Sequence, residues 1–247
     1  MGDRTRLFLT GLAAVVVIGA TVAGHGLGSM LRHSSVVQAQ LPLSQLKNFD
    51  GITLRGPDDV IVTAGDRFAV TIDGDATARR YVSVYVDDGV LRVERRAHEG
   101  WWGPSGGATV HVTMPHLKRV WLAGTGNLEI DKADGREFSA LLQGPGNMDV
   151  KDVTADTVRV TVQGPGDATL GGATKMLTLN LSGPGNVRAD ALSARTADIT
   201  VSGPGDVQAR AIGDAKLIAS GPGGIHVTGT TKCQIDRTGP GEADCKP

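Results

Sequence analysis

The chain has 247 residues and is close to neutral, with 25 Lys and Arg against 26 Asp and Glu. Beyond its first residues it carries no basic block, which argues against a nucleic-acid partner. Glycine is 35 of 247 and aromatics only 4%; that glycine share is about double the usual one and suits a fold with many sharp corners around a narrow interior.

Arg4 and Arg6 precede an apolar run from Leu7 to Gly24, the pattern of an export signal or a signal anchor. The run is long for a cleaved signal and short for a comfortable membrane span. Val37-Gln38-Ala39 offers small-residue cleavage chemistry before Gln40, although Arg32 and His33 interrupt the region ahead of it. Residues 1–39 are therefore expected to be a signal peptide cleaved after Ala39 or, in second place, an N-terminal membrane anchor over residues 7–24. Either puts residues 40–247 in the periplasm or at the cell surface. Lipoprotein processing needs a Cys just after the run, and none is there.

Residues 47–120 alternate apolar and polar without a strict period. Strand-like runs are Ile52–Leu54, Val60–Thr63, Phe68–Ile72, Val82–Val86, Val90–Val93 and Thr109–Met114. Bends fall at Gly-Pro-Asp-Asp 56–59, Asp73-Gly74-Asp75 and Asp87-Asp88-Gly89. The expectation is a set of irregular coils that lead into a regular stack and cap its first edge.

From residue 121 the pattern becomes regular. Gly-x-Gly turns begin at Gly124, Gly144, Gly164, Gly183, Gly203, Gly221 and Gly239, in steps of 20, 20, 19, 20, 18 and 18 residues. A fixed period of this size marks stacked repeats. Before each turn the apolar positions alternate: Phe138, Ala140, Leu142; Val158, Val160, Val162; Leu177, Leu179, Leu181; Ala197, Ile199, Val201; Ala215, Leu217, Ala219. After it they resume, as in Met148 and Val150 or Val187 and Ala189. Period two is a strand with one face buried, and no segment carries a helical stripe long enough for a crossover. The reading is an all-β, right-handed parallel β-helix (solenoid) with ~20-residue coils stacked at ~4.8 Å and Gly-Pro-Gly corners. Residues 40–247 form one domain, with 121–247 as the regular coils. Glycine's access to positive φ and proline's fixed φ explain the corners. Asn127, Asn147, Asp167, Asn186 and Asp206 follow them, placed to hydrogen-bond along the axis. A phosphate loop or a calcium roll would need other spacings, so no cofactor or metal is expected.

Cys233 and Cys245 are the only cysteines, and both fall in inward columns of the last coil. In an exported chain they are expected to form a disulfide that caps the open end, contributing ~3 kcal/mol.

The order of these elements resembles the head GIN domain family of putative autotransporter adhesins, bacterial exported β-solenoid proteins. Its carriers are Phe49-Asp50-Gly51-Ile52, Val70-Thr71-Ile72-Asp73-Gly74-Asp75, Val86-Asp87-Asp88-Gly89-Val90-Leu91, Val112-Thr113-Met114-Pro115-His116-Leu117 and Leu122-Ala123-Gly124-Thr125-Gly126-Asn127. The likeness spans most of 45–245. It implies a β-solenoid and an exported location, and no catalytic or binding residue can be carried over from it.

Candidate chemistry is sparse. Trp101, Trp102 and Trp121 are the only tryptophans. A loop over 95–107 either folds across Trp121 and Leu141, the favoured reading, or exposes an aromatic patch for sugar or protein. Glu129 and Asp149 are outward neighbours, but their column continues Thr169, Arg188, Gln208 without a third carboxylate. His98, His111, His116 and His226 show no metal-ligand spacing. The expectation is therefore a protein without catalysis, an adhesin-like module of the cell envelope or surface, or a structural one, whose partner is an envelope protein or a glycan. The runner-up is a carbohydrate-binding or polysaccharide-cleaving β-helix.

Overall fold

The computed structural model describes residues 41–96 and 106–247. Strand β1 (Gly51–Arg55) meets the corner Gly56-Pro57-Asp58 and leaves as β2 (Asp59–Ala64), giving one coil. The chain continues through β3 (Ala69–Asp73), a short helix α1 (Ala76–Tyr81), β4 (Val82–Asp87), β5 (Val90–Arg95) and β6 (Thr109–Met114). Strand β5 lies parallel to β1, with Leu54 level with Val93, and β6 lies parallel to β2, with Val62 level with Val112. These later strands thus build the coil beneath the first one. Next come β7 (Arg119–Leu122) and β8 (Leu128–Leu142), which stack on the opposite side of β1 and β2. The first coil is sandwiched between two that follow it in sequence.

Irregular coils that cap the first edge of the stack were expected over 47–120. Their outer edge is closed by two antiparallel strands: β3 pairs with β6 (Val70 opposite Val112), and β4 pairs with β5 (Val84 opposite Val93). The β4–β5 hairpin turns at Asp88 and Gly89, both at positive φ (48° and 70°), as a two-residue hairpin turn requires. Helix α1 was not anticipated. Asp75 caps it, its Oδ1 accepting from the Thr77 and Ala78 amides at 2.8 and 2.7 Å. Only Ala78 of its residues is buried.

Above β8 the stack is regular. Strands β9 (Met148–Val162), β10 (Ala168–Leu181) and β11 (Val187–Val201) pair in parallel. They continue as β12 (Val207–Ala211) with β13 (Ala215–Ala219), β14 (Ile225–Thr228) with β15 (Cys233–Arg237), and β16 (Ala243–Lys246). The register is one repeat: Leu142, Val162, Leu181, Val201 and Ala219 are level. The expected inward columns are buried up to the last coil, where Cys233 and Cys245 are half-buried; Phe138, Val158, Leu177, Ile199 and Leu217 are inaccessible to solvent. A register shift between Thr169 and Gly171 marks a bend within the coil. Each coil therefore has a face before the corner (as in 137–142), a face after it (128–130) and a third face (132–135). Among the described residues no helix is long and apolar enough to cross a membrane.

The corners are not explained by positive φ, which is absent at every Gly-x-Gly glycine. Proximity explains them. A Cβ on Gly144 would stand 2.1 Å from the Gly124 oxygen, and one on Gly146 1.9 Å from the Gly126 oxygen. Such contacts recur at every corner up to Gly241, because each turn sits on the carbonyls of the turn below. Those carbonyls are used: the Gly146 amide donates to the Gly124 oxygen at 3.1 Å and the Gly166 amide to the Gly144 oxygen at 3.2 Å.

Among the described residues no strand lies above the last coil. Cys233 and Cys245 join the faces on either side of the corner through a disulfide, with Cα atoms 6.5 Å apart. Ile235 continues the column of Leu179, Ile199 and Leu217 yet is 45% exposed. One column over, the inward series ending at Val201 and Ala219 places Arg237, whose Nη1 donates to the Gly241 oxygen at 3.4 Å. A charge at a core position and a crosslink blunt this open edge.

Candidate interaction face

Two features meet at the corner side of the stack. The first is a side-chain ladder beside the turns. Asp59 Oδ1 accepts from the Asn127 amide at 2.7 Å, Asn127 Oδ1 from the Asn147 amide at 3.1 Å, and Asn147 Oδ1 from the Asp167 amide at 3.1 Å. Asp167 then accepts from Asn186, Asn186 from Asp206, and Asp206 from Gly224. The axial hydrogen bonding expected of these residues is thus present, directed mainly at backbone N–H groups. No two Asp are adjacent in it, which spares it like-charge contacts.

The second feature is an uncharged strip on the other side of the corner. Three outward columns lie next to one another: Leu141, Thr161, Asn180, Thr200, Ile218; then Gln143, Gln163, Ser182, Ser202, Ser220; then the corner residues Pro145, Pro165, Pro184, Pro204, Pro222. None of these residues carries a charge, in a chain where 21% of residues are charged; the first column meets its first charge, Asp236, in the last coil. All of the second and third columns are exposed. The surface around the strip is charged: Glu129 pairs with Lys151, Arg159 with Glu137 at 2.8 Å, Lys175 with Asp156 at 2.8 Å, and His226 with Asp244 at 2.7 Å.

Trp121 heads this strip. It is half-buried; the Arg55 guanidinium lies 4.5 Å over its ring, and its Nε1 donates to Gln143 Oε1 at 2.8 Å. Gln143 Nε2 passes the chain on to Gln163 Oε1 at 2.7 Å. From Arg55 the contacts run the other way, to Glu94 at 3.6 Å and from Glu94 to the Tyr85 hydroxyl at 3.1 Å. Burial, and then the hydrogen bond to Glu94, push the Tyr85 phenol above its ordinary value. Trp121 is covered in part by an arginine that the sequence reading did not use. Trp101 and Trp102 lie outside the described residues, as does the rest of 97–105 in the loop expected to cover Trp121.

The two described ends flanking that loop are held by an ion pair the sequence reading missed. Asp58 is fully buried and takes the place of the second glycine of its corner. Its carboxylate receives Arg95 Nε at 3.1 Å, Arg95 Nη2 and the Ala108 amide at 2.9 Å. Arg95 also donates to the Gly106 oxygen at 3.3 Å. A second ionic node lies at the bend below, where Lys118 and Arg119 reach Asp50 at 3.0 and 2.8 Å. Burial alone would raise the Asp50 carboxyl, but hydrogen bonds from Arg119 and Lys118 outweigh it and hold it below its usual value.

The chain is thus a parallel β-solenoid with a side-chain ladder beside its corners and a crosslinked last coil. The chain belongs to the family described as "Putative auto-transporter adhesin, head GIN domain", whose model matches residues 48–231. It is similar to a putative adhesin from Bacteroides fragilis, at 20% identity and TM-score 0.74 over 82% of this chain and 94% of that one. A putative lipid binding protein from Parabacteroides distasonis is similar at 18% identity and TM-score 0.63, over 84% and 94%. A putative adhesin from Parabacteroides merdae matches at 19% identity and TM-score 0.57, over 82% and 93%. These likenesses concern the fold. No curated protein matches the chain.

Proposed function

We propose that the chain is an exported, non-catalytic, adhesin-like module that binds an envelope or surface partner through its solenoid faces. Family membership and the Cys233–Cys245 disulfide support export. The observation that carries the lack of catalysis is the fate of the candidate acids. Glu129 is ion-paired with Lys151, whose ammonium is pushed up chiefly by that hydrogen bond. Asp149 is level with Thr169 and Glu129, and the other carboxylate of the same hollow, Asp167, is engaged in the side-chain ladder with Asn186. Among the described residues, no three His, Cys, Asp or Glu side chains are placed to hold a metal ion together.

In-cell crosslinking of the native protein followed by fractionation tests this reading. It predicts recovery in the envelope or outside the cell, with oxidised cysteines and a crosslinked envelope component. Recovery in the cytosol with reduced cysteines would overturn it.

A further inference from the structure

We infer that the uncharged strip before the Gly-Pro-Gly corners is a binding surface for a neutral linear polysaccharide lying along the solenoid axis. The inference rests on the interaction role proposed above and names its partner. Charge is the first argument. An anionic membrane or nucleic acid would require cations on the surface, and an acidic polysaccharide likewise, yet three adjacent columns over five coils hold none. A neutral, hydroxyl-rich polymer meets such a surface without stripping water from any ion.

Chemistry is the second. Gln143 and Gln163 are engaged with each other, whereas Thr161, Asn180, Ser182, Thr200 and Ser202 form none of the side-chain hydrogen bonds found among the described residues. Their hydroxyl and amide groups are free to exchange hydrogen bonds with sugar hydroxyls. The exposed proline ridge beside them, Pro145 to Pro222, offers C–H surface to the apolar faces of sugar rings. Geometry is the third argument. The strip repeats its donors and acceptors at ~4.8 Å over a length of roughly 20 Å, which suits a polymer with its own short repeat better than a single small ligand. Trp121 closes one end.

The experiment is affinity electrophoresis of the full-length protein through gels holding neutral polymers (mixed-linkage glucan, xyloglucan, mannan, galactan) or acidic ones (alginate, polygalacturonate). The expected result is retardation by at least one neutral polymer, retained in about 0.5 M NaCl, where surface charge effects are screened. Ser182→Lys with Ser202→Lys is expected to weaken it by about tenfold or more, because the new charges would be desolvated on binding. Gln163→Glu with Ser202→Glu should do likewise with the opposite sign of charge. Thr154→Lys, on the third face, should leave it unchanged. No retardation by any neutral polymer, retardation by acidic polymers alone, or equal binding by both strip variants would each overturn the inference. A crosslink through the strip to an envelope protein would end the polysaccharide assignment while leaving the interaction role standing; recovery in the cytosol would end both.

Discussion

Gly146 has the carbonyl of Gly126 where its own Cβ would be, and the same holds along the corner column. Gly146→Ala must push two coils apart and is expected to destabilise the protein by about 3 kcal/mol or more. Its neighbour Pro145 is exposed, so Pro145→Ala should cost no more than about 1 kcal/mol, through the unfolded chain. Urea unfolding of the two variants checks the contrast. Asp58 makes a second prediction: Asp58→Ala leaves the Arg95 guanidinium facing a buried gap and should cost about 3–5 kcal/mol, while Asp58→Asn keeps acceptors for Arg95 and costs less. Melting temperatures of the three proteins measure this. A third concerns acid. The Asp50 carboxyl is held down by Arg119 and Lys118, and that of Asp244 by Lys246 first and then His226. A lowered carboxyl contributes stability above the unfolded value, near ~3.9, and loses it as pH falls through the folded one. Stability should therefore drop as pH goes from about 5 toward 2, with a shallower drop in Asp50→Asn, read as melting temperature against pH.

At the scale of elements, neighbouring coils depend mainly on one another. The final coil is held from one side only, by β13, β14 and the disulfide. Replacing both Cys233 and Cys245 by Ser should cost about 3 kcal/mol or less. Hydrogen exchange should show protection lost over 233–246 and kept in β9 and β10. Much of this level was legible in the sequence. The columns through Phe138, Val158 and Leu177, or Ile130, Val150 and Leu170, follow from period two inside a period of about twenty. The antiparallel returns β3 and β4 were not legible, because alternation is the same for both strand directions. Helix α1, over Ala76–Tyr81, is too short to display a helical stripe, although Asp75 followed by Ala-Thr-Ala was a cap signal. Asp58 and Arg95 are 37 residues apart and meet because β5 lies beneath β1. The available signal was an aspartate where every later corner has glycine.

Over the whole molecule, regularity and function separate. The corners and the Asn/Asp ladder are consumed in stacking, so their repetition marks the scaffold. Charge is distributed over the face after the corner, the third face and the outer part of the face before the corner (Glu137, Arg159, Asp198, Lys216), and it is withheld from the strip that runs from Leu141 and Pro145 to Ile218 and Pro222. Each column of that strip could be read from the sequence, but only the fold lays the three side by side under Trp121. The central claim is that this strip is where the protein meets its partner. Photo-crosslinking residues installed singly at Ser182 and Ser202 on the strip, and at Thr154 on the third face, test it in the native cell. The account predicts adducts from the two strip positions and none from Thr154; equal labelling from all three, or labelling from Thr154 alone, would contradict it.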